Sequence, residues 1–129
     1  MATVLPRGPF RDETYVAAED LSALQYHQVD LTTSTTVSAS DANDKSIGIL
    51  QNAPASGEQA VVRTKGESFC MVDGTTDIAI GDFLTCFTTA GIAAKGAAGD
   101  MCFAMALEAY TTNDSNGVID AILFSPRLI

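Results

Sequence analysis

The chain states one pattern twice, and that constrains its fold more than any other feature. Asp20-Leu21-Ser22-Ala23-Leu24-Gln25-Tyr26 aligns with Asp77-Ile78-Ala79-Ile80-Gly81-Asp82-Phe83 at an offset of 57 residues, and Ile49-Leu50 aligns with Ala106-Leu107 at the same offset. Between these anchors Thr35-Thr36-Val37-Ser38-Ala39 faces Ala90-Gly91-Ile92-Ala93-Ala94 at an offset of 55, so the second copy is two residues shorter there. A duplication of this kind implies one small unit used twice around a common core, with neither half stable alone. The pseudo-repeats run over about 17–65 and 74–124.

Periodicity and punctuation both indicate β structure. In Glu58-Gln59-Ala60-Val61-Val62-Arg63-Thr64-Lys65, Ala60, Val62 and Thr64 fall on one side of a strand and Val61, Arg63 and Lys65 on the other, as in a half-buried antiparallel strand. Gly66 interrupts that run; Ser68-Phe69-Cys70-Met71-Val72 resumes it and stops at Asp73-Gly74, which reads as a turn. Further turns are marked at residues 53–57, 80–82, 90–91 and 99–100, a spacing that suits short strands in a sandwich or barrel. Residues 99–110 have a helical composition, but their counterpart Ser46-Ile47-Gly48-Ile49-Leu50 favours a strand. Residues 101–107 therefore read as a buried strand, with a short helix as the alternative. A last strand over 118–124 follows Asn116-Gly117 and ends at Pro126. The expected fold is all-β: a small compact barrel or sandwich of short antiparallel strands, with at most one short helix.

Residues 1–15 differ from this body. Leu5-Pro6-Arg7-Gly8-Pro9-Phe10-Arg11 holds two prolines and scattered apolar groups, the marks of an extended N-terminal arm preceding a single β-rich domain over 16–129. Aromatic and Arg side chains anchor interfaces out of proportion to their number, so Leu5, Pro6, Arg7, Phe10 and Arg11 are the candidate partner-binding residues. A solvated leader with no role is the competing reading. No apolar stretch of signal-peptide length occurs in residues 1–10.

Charge narrows the partners. Seven Lys and Arg stand against sixteen Asp and Glu, for a net charge of minus nine, which repels phosphate backbones and anionic lipid and argues against nucleic acid or membrane as partners. Residues 12–129 hold five of the bases and all sixteen acids, so a weakly basic leader precedes a body of minus eleven.

A search for chemistry finds little. His27 is the single histidine and lies in Gln25-Tyr26-His27-Gln28-Val29, which reads as a strand histidine at a surface or interface rather than a base. Cys70, Cys86 and Cys102 lack the close pairs of a metal site and read as small buried hydrophobes in a chain made in a reducing cytoplasm. Asp41-Ala42-Asn43-Asp44 and Asp73-Gly74-Thr75-Thr76-Asp77 read as polar turns that satisfy their own backbones, lacking the layout of a calcium loop. No nucleotide-binding or nucleophile-elbow motif occurs, so neither enzymatic activity nor a cofactor is expected.

The run from Ile47 through Asn52-Ala53-Pro54-Ala55-Ser56-Gly57-Glu58 to Gly66, with Ile80-Gly81-Asp82-Phe83-Leu84 and Ala106-Leu107-Glu108-Ala109, resembles the capsid decoration, or cement, proteins of tailed bacteriophages over about residues 16–124. That resemblance implies a small β-rich protein, without enzymatic activity, on the outer capsid surface of a virion. It further implies a homotrimer bound to the major capsid protein through its N-terminal arm. The leader itself matches no pattern of the family, so its five candidate residues rest on position and chemistry. The alternative function is a carbohydrate- or host-binding module at the virion surface; such modules usually use exposed tryptophan or clustered tyrosine, and this chain has no tryptophan and only Tyr15, Tyr26 and Tyr110.

Overall fold

The strand that starts at Gln59 does not stop at Gly66 but runs on through it, and this makes the longest element among the described residues. A computed structural model of the chain describes residues 7–41, 45–86, 90–114 and 116–128. Nine strands are formed among the described residues: β1 (Arg11–Ala17), β2 (Gln28–Leu31), β3 (Thr36–Ala39), β4 (Gly48–Leu50), β5 (Gln59–Val72), β6 (Phe83–Cys86), β7 (Ala93–Lys95), β8 (Met101–Ala106) and β9 (Gly117–Leu128). No described residue is helical.

The sheet order is β1-β3-β2-β4-β5-β7-β6-β8-β9, with β1 also paired to β5 and β5 to β9. The order therefore closes on itself twice. β1, β3, β2, β4 and the first half of β5 form one five-stranded barrel; the second half of β5, with β7, β6, β8 and β9, forms another. The two circuits repeat strand for strand. The pairs β2–β3, β2–β4 and β4–β5 are antiparallel and β1–β3 is parallel; in the second circuit β6–β7, β6–β8 and β8–β9 are antiparallel and β5–β7 is parallel. Among the described residues, closure leaves no long unpaired edge on either unit.

Each barrel holds its own core, so the repeated unit is not arranged around the common core that the duplication implied. Ala17, Leu21, Val29, Val37, Leu50, Ala60 and Val62 fill the first; Cys70, Val72, Ile78, Leu84, Ala104, Ala106, Ile119 and Ala121 are among those filling the second. The aligned residues Leu21 and Ile78 are both fully buried, one in each core. Even-numbered side chains of β5 face inward on both sides of Gly66: Ala60 and Val62 in one barrel, Ser68, Cys70 and Val72 in the other. Gly66, which reads in the sequence as an interruption of the run, does not break the strand. It is a bend within it, at φ +95°, where β5 passes between barrels.

Three turns share one construction. In Ala55-Ser56-Gly57-Glu58, Ala79-Ile80-Gly81-Asp82 and Ala97-Ala98-Gly99-Asp100, the acid's N–H donates to the alanine carbonyl. In each, the acid's carboxylate accepts the alanine N–H in return, at 2.7 or 2.8 Å. The intervening glycines have φ of +85°, +90° and +93°, the third-position geometry of a type II turn.

β8 is the strand expected over 101–107, and the helical alternative is not formed. β9 runs to Leu128 rather than ending at Pro126. The reason is a bulge: β9 advances from Leu123 to Arg127 while β8 goes only from Ala104 to Cys102, and an unpaired bulge position tolerates a residue without an N–H. Asp73-Gly74 and Asn116-Gly117 are not left-handed hairpin turns either, since neither glycine has positive φ. Both glycines lie against Tyr110, whose ring occupies the space a Cβ would need at either position.

Candidate interaction surface

Because Gly66 has no side chain, backbone can pass over the junction of the barrels. A Cβ there would stand 2.6 Å from the Pro9 carbonyl oxygen and 3.1 Å from Phe10 Cα. Residues 7–10 thus lie against the molecule's own seam. The Arg7 guanidinium Nε donates to Glu67 Oε1 at 3.0 Å, and the Arg7 backbone N–H reaches Glu67 Oε2 at 3.4 Å. The Phe10 ring lies 3.6 Å from the guanidinium carbon of Arg63. Arg63 also grips Asp12 with two nitrogens, at 2.8 and 3.2 Å, and donates to the Glu67 carbonyl at 2.9 Å. Its side chain is 11% exposed, so the fork on Asp12 is shielded from water in a way that the Arg7–Glu67 pair, with Arg7 71% exposed, is not.

Of the candidate partner-binding residues, Arg7 and Phe10 are brought together over this seam through Glu67 and Arg63. Arg11 opens β1, and its guanidinium donates to Glu13 at 2.8 Å on the exposed surface. Residues 11–15, expected in the arm, are part of β1 and pair with β5 from Tyr15↔Ala60 to Arg11↔Lys65. Leu5 and Pro6 lie outside the described residues. Arg63, Asp12 and Glu67 were not singled out from sequence; the one available signal was an arginine on the outward side of a strand whose inward neighbours are apolar.

The other candidates for chemistry resolve into packing. His27 is buried at the interface between the barrels rather than exposed at the surface, and it precedes β2 rather than lying in it, because the segment 26–28 is tied to the second barrel. The Tyr26 carbonyl accepts from Met71 N–H, Gln28 N–H donates to Gly91, and His27 Nδ1 donates to the Ala90 carbonyl. Burial lowers the His27 pKa below its ordinary value, against the smaller opposing effect of the Ala90 bond. All three cysteines are buried, and burial, with a lesser contribution from Cys86, pushes the Cys70 thiol up to about 12, removing its nucleophilicity at neutral pH. Asp73 Oδ1 accepts from both the N–H and the hydroxyl of Thr75, as a turn-forming aspartate does. Of the loop at 41–44, residues 42–44 lie outside the described residues. Among those described, no group of three His, Cys, Asp or Glu residues is arranged to hold a metal ion.

Nor do the tyrosines form an aromatic platform. Tyr110 is buried, Tyr26 packs against the second core and meets Phe69 edge to face at 5.3 Å, and Tyr15 packs against the first core. A shallow hollow of about 290 Å³ is lined by Tyr110, Thr112, Asn116, Gly117 and Val118. Its Tyr110 hydroxyl is already committed, donating to Asp114 Oδ1 at 2.6 Å.

No protein-family model matches this sequence, and no curated protein matches it. Solved structures do: among 15 matching chains is the N base of head fiber gp8.5 of bacteriophage phi29, with a TM-score of 0.64 at 16% identity. The superposition covers 94% of this chain and 99% of that one, so the two share their architecture from end to end.

Proposed function

We propose that this chain is a non-enzymatic structural protein of a phage virion, bound to the outer surface of the capsid as a homotrimer that bridges major capsid subunits. The observation that carries the reading is the fold shared with a phage head fiber N base over 99% of that solved chain. The rest of the molecule agrees with it. Two closed barrels joined by one strand make a body suited to bridging, and a net charge of minus nine keeps neighbouring copies apart and away from packaged nucleic acid. Symmetric repetition of one interface gains through effective concentration, so each contact can be weak.

A second reading is favoured by the same neighbour: a base that anchors a fiber to the head. Copy number separates the two. Quantitative mass spectrometry of purified virions, with the major capsid protein as the internal standard, should give about one copy per capsid subunit for lattice-wide bridging. A handful of copies per particle would favour the fiber base instead. Absence from the virion would overturn both.

A further inference from the structure

The outward face of β9 combines an acidic cluster with an apolar row. Ile119, Ala121 and Leu123 fill the second core, so Asp120 and Ile122 project from the other face of the strand. Ile122 stands opposite Glu67 on β5 and Met105 on β8, and Met105 stands opposite Phe83 on β6, which places four outward residues in one row across four strands. Phe83 meets Phe124 edge to face at 5.9 Å, extending the apolar part of the row, and Ile122 is 37% exposed.

Asp120 is the anomaly in this wall. It is only 6% exposed, and its Oδ1 has no hydrogen-bond partner. The charged groups that face it are Glu108, Glu67 and Arg7. Glu108 is turned toward it, with Oε1 accepting the Asp120 N–H at 2.8 Å. Asp120 thus has two further carboxyl groups and one guanidinium for neighbours, and that guanidinium pairs with Glu67 alone; among the described residues neither Asp120 nor Glu108 has an ion pair. A buried carboxylate oxygen without a donor costs free energy that a cationic donor would recover.

We propose that Glu67, Glu108 and Asp120 form an acceptor site for an arginine side chain carried by an extended segment of a partner protein. Charge complementarity selects the occupant: the cluster has an excess of two carboxyls, and Arg7 at Glu67 shows that a guanidinium can pair with one of them. The apolar row fixes the rest of the ligand. Asp120 and Ile122 are two residues apart on one face of a strand, so an extended ligand that sets arginine on Asp120 sets its residue two positions along on Ile122 and Met105. This names the chemistry of a partner and does not depend on that partner being a capsid subunit.

The test is an NMR titration of the full chain, following the side-chain carboxyl signals of Glu67, Glu108 and Asp120. The probes are acetyl-Arg-Gly-Leu-amide, the same peptide with citrulline for arginine, and acetyl-Arg-Gly-Gly-amide. The arginine–leucine peptide should shift the Glu108 and Asp120 signals saturably, with affinity on the order of millimolar. Citrulline, isosteric but neutral, should produce no saturable shift, and loss of the leucine should weaken binding at least about threefold. Glu108→Gln keeps an acceptor for the Asp120 N–H and should weaken binding about fivefold or more, with its amide spectrum reporting an intact fold; Asp120→Asn is the second variant. No saturable shift, equal binding of the citrulline peptide, or wild-type affinity in a folded Glu108→Gln would each overturn the site. Equal affinity of the leucine and glycine peptides would overturn the extended-segment part.

Discussion

Arg63 holds Phe10 under its guanidinium, 3.6 Å from the ring centroid, while the same group grips Asp12. The segment before β1 is therefore fastened at Phe10, and a truncation has two distinct limits. Removing residues 1–10 loses the stack and the Arg7–Glu67 pair and should cost about 1–2 kcal/mol. Removing residues 1–14 also deletes Arg11–Thr14 and their pairing with Lys65, Arg63, Val62 and Val61, which opens the first barrel. Urea denaturation should show a small midpoint shift for the first protein and a loss of the cooperative transition for the second. Any partner-binding assay of the arm should accordingly use the shorter deletion.

Gly66→Ala should destabilise the chain by about 1–2 kcal/mol from positive φ alone, plus the cost of displacing Pro9. The second part disappears once residues 1–10 are absent. A double-mutant cycle in urea should therefore find Gly66→Ala less costly in the truncated protein; equal costs would mean that Pro9 does not press on the junction.

The three Ala-x-Gly-acid turns offer a cleaner backbone test. A Cβ on Gly57, Gly81 or Gly99 would meet nothing within 4 Å, so alanine at any of them is penalised only for its positive φ. Each substitution should cost about 1–2 kcal/mol. Asp100→Ala, which releases the Ala97 N–H, should cost about 1 kcal/mol. Thermal melts of the four variants would check both figures.

His27 and two aspartates set opposite pH slopes. His27 titrates lower in the folded chain than the ordinary 6.5, so the unfolded chain binds the extra proton and stability falls as pH drops below 6.5 toward the folded value. Burial raises Asp30 and Asp120 above the ordinary 3.8, aided at Asp120 by Glu108 and Glu67, so acidification toward 3.8 stabilises the fold at these sites. His27→Asn retains an N–H donor near the position of Nδ1. It should flatten the slope below pH 6.5 and leave the lower-pH slope in place, as measured by urea midpoints across pH.

Gln28 is fully buried, and neither its amide nitrogen nor its amide oxygen has a partner. It pairs in register with Ile49, which packs in the second core, so its side chain faces apolar groups at the seam. Gln28→Met preserves length and removes both unsatisfied atoms. It should raise stability by about 1–2 kcal/mol, read as an increased urea midpoint.

Much of this fold was legible because the repeat and the alternation agreed. The helical composition of 101–107 was outweighed by its counterpart at 46–50, and β8 is a strand. What was not legible depends on contacts between distant residues. Gly74 and Gly117 look like hairpin glycines, yet they serve the Tyr110 ring, which is 36 residues from one and 7 from the other. His27 gives no local sign that Ala90 will cover it, and Pro126 reads as a stop because its bulge exists only against β8. At the candidate surface, Arg7 and Phe10 were visible as chemistry, but their partners Glu67 and Arg63 are 60 and 53 positions away. The Ala-x-Gly-acid turn was in plain view three times and could have been found by spacing alone.

β5 belongs to both barrels, so a shear load along their seam is carried by a continuous strand as well as by the contacts of residues 26–28. A pull on one barrel reaches the other through covalent bonds, and the softest place on that path is the glycine bend at Gly66, which the segment from Arg7 to Phe10 spans from outside. Under tension the molecule should therefore behave as a single strut with a splinted bend, yielding by flexing at that point before either barrel gives up a strand.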